Sequence, residues 1–339
     1  MALKQITVAG GGLAGLALGV ALRQREIPVQ ILEAAAYPRH RVCGEFISGI
    51  QEDELKALGI TDLFTSAARH RETAWFDGSR ILFRATLPEA AYGLSRHHLD
   101  AALAERFVSS GGELQTSTRF TGDAEVEGTV LASGRPQRAS EWLGMKAHFE
   151  DLALTADLEI HLGNHAYVGL TRVEHDRVNV SGLFRRTSAV SGGQQALATA
   201  VQEAGLPELA DRLRAARIDS SSLKGVNRFH LGWQAHRDAA VRIGDAAAMI
   251  PPFTGNGMTM ALQSALAAVE PLARWSQGEG SWHDAHMAIQ QEQSRLFSTR
   301  LRWARVLQEV LLQPLGRRLC AYAVNHQWVS FETLYRKVR

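Results

Sequence analysis

The sequence predicts an α/β fold: a helix-flanked parallel sheet built around a phosphate-binding turn, an inserted and mostly antiparallel second sheet, and a helical C-terminal region. Three observations carry this expectation. Gln5-Ile6-Thr7-Val8-Ala9 reads as a short buried strand running into Gly10-Gly11-Gly12-Leu13-Ala14-Gly15, a G-x-G-x-x-G turn that opens an apolar helix. A second glycine-rich strand, loop and helix occupies residues 241–258. Between them, residues 158–184 hold three alternating apolar segments separated by Gly163-Asn164 and His175-Asp176, the pattern of an antiparallel meander.

The first turn has a physical logic. Gly10 permits the tight turn from strand to helix, Gly12 lets a pyrophosphate approach the backbone, and Gly15 lets the helix pack closely on the strand. Leu13 and Ala14 stand at the helix start, where free N–H groups and the positive end of the helix dipole meet an anion. A second strand at residues 29–32 ends on Glu33, about 20 residues past the turn, where a ribose-binding acid belongs. An acid there favours an unphosphorylated ribose, so the expected ligand is FAD or NAD.

Composition narrows the class. With 339 residues the chain buries a large core and holds roughly two domains. A net charge of only +2 gives no field for nucleic acid. Cys43 and Cys320 are too few for a disulfide framework, which points to the reducing cytoplasm. The N-terminal apolar run lacks a cleavage pattern, so no signal peptide is expected, and no stretch of 18 uncharged apolar residues spans a membrane.

Taken in order, residues 13–24 form an Ala- and Leu-rich helix. Residues 34–49 are irregular and long for a connection, hence a candidate functional loop. Residues 71–87 alternate around Asp77-Gly78 as a hairpin. Ser95 caps a helix whose apolar face is Leu99, Leu103 and Phe107, ended by Gly111-Gly112. Residues 196–216 are helical with a break near Pro207, a helix runs from Met258 to about Ala273, and a long one spans about 281–312 before a basic tail. The expected division is a nucleotide-binding domain at 1–70, 92–150 and 235–280, a substrate-binding sheet domain at 71–91 and 151–234, and C-terminal helices at 281–339.

The second glycine-rich region is the more specific. Gly244-Asp245-Ala246-Ala247, Pro251-Pro252 and Gly255-Asn256-Gly257-Met258 closely resemble the second flavin fingerprint of the para-hydroxybenzoate hydroxylase and geranylgeranyl reductase superfamily, group A flavoprotein monooxygenase-like proteins. Arg96, in Ser95-Arg96-His97-His98-Leu99-Asp100, matches the family's arginine near the flavin pyrophosphate or ribityl chain, and Arg41 sits where hydroxylases place a flavin-contacting arginine. The resemblance covers nearly the whole chain. It implies a Rossmann-like FAD-binding domain with FAD as the cofactor, Asp245 facing the ribityl chain and Gly255, Asn256, Gly257 and Met258 at the ring. Where the family has A-D-G or A-T-G, this chain has Ala132-Ser133-Gly134, which removes the acid from any nicotinamide-binding role there.

Within the superfamily the reaction stays divided. The seven tryptophans never form W-x-W-x-I-P, which disfavours a halogenase. The Pro251-Pro252 pair resembles the hydroxylase loop, implying hydroxylation or epoxidation of an apolar substrate through a flavin C4a-hydroperoxide. Cys43-Gly44 resembles the reductase loop, implying hydride transfer to or from C–C bonds at flavin N5. A flavin-binding protein without turnover is the third reading. Pro252, Arg41, Cys43 and Glu45 are the candidate catalytic residues: Cys43 as a small neighbour of the ring, a tuned thiol or a covalent attachment point, and Glu45 as a loop-fixing carboxylate or an acid. Because no second G-x-G-x-x-G exists, reducing equivalents are expected from transiently bound NAD(P)H or from a partner's reduced flavin.

Adjacent His97 and His98 point to different helix faces, and no other His or Cys spacing suggests a metal. Residues 291–339 carry nine Lys or Arg against three Asp or Glu, together with Leu301, Trp303, Val306, Leu311, Leu312 and Trp328. Such a tail either packs on the body with a solvated basic face or touches an anionic membrane or an acidic carrier protein. The protein is therefore expected to be cytoplasmic, either free or peripheral to a membrane. Tyr167, Phe184, Phe229 and Trp233 point to an apolar, aromatic or polyene-like substrate, or equally to ordinary sheet core.

Overall fold

The computed structural model describes residues 2–135, 139–185, 193–234 and 239–339. Two sheets organise it. The first is parallel and five-stranded, built from β1 (Ile6–Ala9), β2 (Val29–Leu32), β6 (Glu113–Gln115), β7 (Thr129–Leu131) and β14 (Val241–Arg242), in the order β14-β7-β1-β2-β6. The helix α1 (Leu13–Arg23) buries every residue but its last, because α3 (Arg96–Ser109) and α6 (Gly257–Gln277) pack against it. A helix apolar all round is stable only when enclosed in this way. At Gly19 the enclosure is tight: a Cβ there would lie 2.8 Å from Ile31 Cδ1 and 2.9 Å from Phe107 Cδ2.

The second sheet has eight strands: β3 (Phe46–Ile47), β4 (Ala68–Asp77), β5 (Arg80–Gly93), β8 (Ala139–Glu150), β9 (Leu158–Gly163), β10 (Ala166–Arg172), β11 (Val178–Arg185) and β12 (Arg217–Arg228). Their order is β12-β8-β11-β10-β9-β4-β5-β3, antiparallel except where β4 meets β9. The expected meander is β9, β10 and β11, with Tyr167 opposite Leu162 on one side and Leu183 on the other. A two-stranded ribbon of β13 (Gly232–Trp233) and β15 (Ala248–Met249) links the sheet domain to the second glycine loop. The remaining helices are α2 (Glu52–Ala57), α4 (Ala196–Glu203), α5 (Pro207–Ala215), α7 (Trp282–Leu312), α8 (Pro314–Asn325) and α9 (Phe331–Lys337).

One sequence expectation changes here, and one of the two readings of the tail is met. Residues 139–150, expected with the nucleotide-binding part, pair with β11 and β12 inside the second sheet. Positions 144–149 are buried without alternation, so the sequence offers no period to mark which sheet they join. The basic tail is two further helices that close over the second sheet. Arg317, nearly fully buried, donates to the Gly163 carbonyl at 2.8 Å and pairs with Asp77 at 2.7 Å. Among the described residues no helix is long and apolar enough to cross a membrane.

Candidate cofactor and substrate site

The C-terminal ends of β1, β2, β7 and β14 converge, placing Gly10, Glu33, Ala132 and Gly244 along one edge of the parallel sheet, where such folds bind ligands. Gly10 has φ +120°, and a Cβ on it would meet the Ala132 carbonyl oxygen at 2.4 Å; at Gly15 a Cβ would lie 2.0 Å from the Gly10 carbonyl oxygen. Gly12 differs. A Cβ there would reach only two guanidinium nitrogens, Arg96 Nη2 at 3.8 Å and Arg41 Nη2 at 4.0 Å. The turn is thus closed on the protein side and faced by cations on the other, which is what an anion needs at a helix start.

Glu33 is buried and holds the turn from below. Its Oε2 accepts from the Gly11 N–H at 2.8 Å, and its Oε1 from the Ala35 N–H at 3.0 Å and from Arg39 at 2.8 Å. Tyr37 donates from its hydroxyl to the Gly11 carbonyl. Arg41 and Arg96 are brought together by a residue that sequence reasoning missed. Asp100, fully buried, accepts from Arg96 Nε and Nη2 at 2.7 and 2.8 Å and from Arg41 Nε at 3.1 Å. The signal was present, since Asp100 stands four residues after Arg96 on one helix.

These cations retain unused donors. Arg39 Nε, Arg41 Nη2 and Arg135 Nε are buried without a hydrogen-bond partner among the described residues. Burial pushes the Asp245 carboxyl above its ordinary range, against the opposing pull of Arg96, Arg135 and Arg41. Arg135, the second residue overlooked in the sequence, lines the same space as Asp245. Buried donors left unpaired are costly unless a ligand takes them. Their arrangement fits the pyrophosphate and polyol of a dinucleotide.

The second glycine loop supplies the other end. Gly255 has φ +63°, and a Cβ on it would lie 2.6 Å from the Phe46 ring, so the loop presses on β3. Asn256 is buried; its amide reaches the Ser48 carbonyl at 3.4 Å while its carbonyl accepts from Arg300 at 3.4 Å. At Gly257 a Cβ would meet nothing nearer than Ile250 Cγ2 at 4.0 Å, leaving the first N–H groups of α6, including that of buried Met258, approachable. Gly244 abuts α1, a Cβ on it falling 2.9 Å from the Ala14 Cβ.

A cavity opens from this point. Its walls at the loop end are Val42, Cys43, Gly44, Asp245, Pro252 and Gly255, and it continues past Tyr167, Phe229, Phe253, Trp75 and Phe83 into the second sheet. It holds about 1410 Å³ of empty space, counting its open mouth. Of the aromatic residues expected to roof it, Tyr167 and Phe229 do so; Trp233 is partly exposed and packs on Phe297, and the buried Phe184 sits in the core beside α4 and α5. Tyr167 accepts from the Phe253 N–H at 3.0 Å and so fixes the loop after Pro252.

Cys43 is partly buried at the cavity wall, and burial pushes its thiol pKa up. Glu45 stands behind that wall. It has φ +54° and is fully buried; Lys146 donates to its Oε1 at 3.0 Å and His148 Nε2 lies 2.5 Å from its Oε2. Burial would raise its carboxyl, but the His148 hydrogen bond and the Lys146 charge outweigh that and hold it below the ordinary range. Asn179 donates to the Cys43 and Gly44 carbonyls at 3.1 and 2.8 Å, completing the clamp. Glu45 is not among the residues that line the cavity, and its carboxylate is taken up by Lys146, His148 and the Arg96 N–H.

The fold and this convergent edge define the chain as having the architecture of FAD-dependent monooxygenases and flavin-dependent halogenases. It is similar to Pseudomonas aeruginosa PqsL in complex with 2-aminobenzoylacetate, with TM-score 0.75, 17% identity and coverage of 96% of this chain and 100% of that one. It is similar to the flavin-dependent brominase Bmp2, with TM-score 0.78, 15% identity and coverage of 100% and 93%. It is also similar to Klebsiella pneumoniae HpxO complexed with FAD and uric acid, with TM-score 0.73, 15% identity and coverage of 98% and 95%. No protein-family model matches the chain, and no curated protein matches it in sequence.

Proposed function

We propose that this chain is an FAD-dependent monooxygenase that hydroxylates or epoxidises an apolar small molecule. The observation that carries this reading is a shared wall: Asp245 and Arg135, whose charges interact with Arg96 beside the glycine turn, also line the cavity walled by Tyr167, Phe229, Trp75 and Phe83. Along that edge these residues would hold FAD, which would supply the redox chemistry and the reaction with oxygen.

The chain's own residues do the rest. Gly10 to Gly15 with Arg41 and Arg96 would seat the pyrophosphate, Glu33 would serve the ribose, and Asp245 would accept from the ribityl hydroxyls. The N–H groups at Gly257 and Met258 would hold negative charge on the cofactor, because the α6 dipole is positive there. Pro252 and the clamped Cys43-Gly44 segment, which line the cavity, would border the cofactor, and the aromatic walls would exclude water and orient the substrate. Reducing equivalents come from NAD(P)H bound transiently or from reduced flavin delivered by a partner.

Reductive chemistry at a C–C double bond is the second reading, favoured by the Cys43-Gly44 loop lining the same cavity. The test is to reduce the flavin-loaded protein without oxygen and present apolar extracts. Oxygen uptake coupled to an oxygenated product supports the monooxygenase. Saturation of a double bond under strict anaerobiosis transfers the assignment to a reductase, and an absence of turnover in both arms leaves only a flavin-binding protein.

A surface role accompanies this reading. Trp303 and Val306 of α7, Leu315 and Leu319 of α8, and Trp328 are exposed, as are Arg302, Arg305 and Arg318 on the same two helices, while Leu301, Leu311 and Leu312 pack inward. Such a surface suits an anionic membrane that delivers an apolar substrate, and an acidic carrier protein is the other candidate. Co-sedimentation with phosphatidylserine vesicles that disappears in a Leu315→Glu, Leu319→Glu double variant supports the membrane.

A further inference from the structure

Behind the cavity wall the fold assembles three groups from distant parts of the chain. His148 lies on β8 and Asp219 directly opposite it on β12, in an antiparallel register that brings facing side chains together. His40, from the irregular loop after β2, lies over them with its ring 5.2 Å from that of His148 and nearly perpendicular to it. One ligand atom from each of the three lies within 4.8 Å of the others.

The state of the two imidazoles is informative. His148 Nε2 lies 2.5 Å from Glu45 Oε2 and 2.9 Å from Lys146 Nζ, and Lys146 in turn holds Glu45 Oε1 at 3.0 Å. In the tautomer whose Nε2–H donates to the Glu45 carboxylate, Nδ1 is the nitrogen that offers a lone pair. That Nδ1 is buried and has no hydrogen-bond partner among the described residues, and the same is true of His40 Nδ1. A buried histidine fixed through one nitrogen by a carboxylate, with the other nitrogen free beside further donors, is the outer-sphere arrangement of metal-ligating histidines.

The neighbouring groups permit a cation. Asp219 is anchored through Oδ1, which accepts from the Ser221 N–H at 3.0 Å and its hydroxyl at 2.7 Å; Oδ2 faces Arg177 at 3.8 Å. Asp219 is 24% exposed, which leaves an entry path. His97 stacks on His40 at 4.4 Å, and the Lys146 charge is matched by Glu45. Two imidazoles and one carboxylate suit a borderline transition ion, and calcium or magnesium, which need oxygen donors, are a poor match.

We propose that His40, His148 and Asp219 form a binding site for a divalent first-row transition-metal ion, with Glu45 and Lys146 as its outer shell. The ion staples the loop carrying Arg41 and Cys43 to β8 and β12. Spacing in the sequence gives no hint of it, because each ligand comes from a different element.

Zinc is the probe. Protein freed of metal by chelator dialysis is titrated with zinc chloride by calorimetry, and cobalt is substituted for its visible ligand-field spectrum. One zinc per chain is expected, with affinity reduced at least about tenfold in His40→Ala and in Asp219→Ala, and about 10- to 100-fold in Glu45→Gln. His40 and Asp219 lie outside the core, so their variants are required to keep the far-ultraviolet circular dichroism of the parent. Failure of the parent to bind zinc overturns the site. So does zinc binding that both His40→Ala and Asp219→Ala leave unchanged, since the ion then sits elsewhere. Neither measurement depends on flavin turnover.

Discussion

Arg96, on the first turn of α3, donates from Nε and Nη2 to both carboxylate oxygens of Asp100 one turn later, and Arg41 occupies the free side of the same carboxylate. One buried acid thus positions two cations over Gly12. Removing one member of a buried ion pair costs about 3–5 kcal/mol, because the survivor is left desolvated and unpaired. Asp100→Ala should therefore lose about 3 kcal/mol of stability in urea denaturation without cofactor. The loss should shrink when FAD is added, since the pyrophosphate supplies the missing anion; an equal loss in both conditions counts against this placement.

Gly12 and Gly15 separate folding from binding. Gly12 has φ −83°, and a Cβ on it would make only ordinary contacts with Arg96 Nη2 at 3.8 Å and Arg41 Nη2 at 4.0 Å, so Gly12→Glu should fold normally and place its carboxylate between Arg41 and Arg96. The expected protein is colourless, with thermal stability near that of the parent without flavin. Gly15→Ala would drive a Cβ to 2.0 Å from the Gly10 carbonyl and should fail to give soluble protein. A yellow Gly12→Glu variant would remove the pyrophosphate assignment.

Glu45 is tested by the charge it balances. Lys146 is fully buried and Glu45 is its ion-pair partner. Glu45→Gln should cost about 3 kcal/mol in equilibrium unfolding. Adding Lys146→Met should recover much of it, since that removes the stranded charge. If the single variant is as stable as the parent, Glu45 does not fix the loop.

Acid stability should depend on Glu159. This buried carboxylate accepts from the Thr155 N–H, from Arg212 at 2.9 Å, and lies 2.9 Å from His161 Nε2. Burial alone would raise its pKa, but these partners hold it down at about 2. A carboxyl depressed in the folded state binds its proton first in the unfolded chain. Its stabilisation is therefore full above about pH 4.5 and fades as pH falls toward 2. Glu159→Gln should flatten that limb of a stability–pH curve while lowering the plateau at pH 7; an unchanged slope would show the pair contributes nothing.

The sequence by itself determined the local units. The strand and turn at residues 5–15, the N-cap at Ser95, the meander at 158–184 and the loop at 244–258 are legible because each follows from a short-range rule of periodicity, capping or glycine geometry. Arg41, Arg96 and Asp245 were likewise named from motif positions. Tertiary structure decided what those units meet. The placement of 139–150 in the second sheet, the convergence of Arg41 and Arg96 on Asp100, and the pairing of His148 with Asp219 beneath His40 rest on contacts between residues far apart in the chain. Burial sets which of those groups must find partners, and burial is a property of the folded packing that no local pattern encodes.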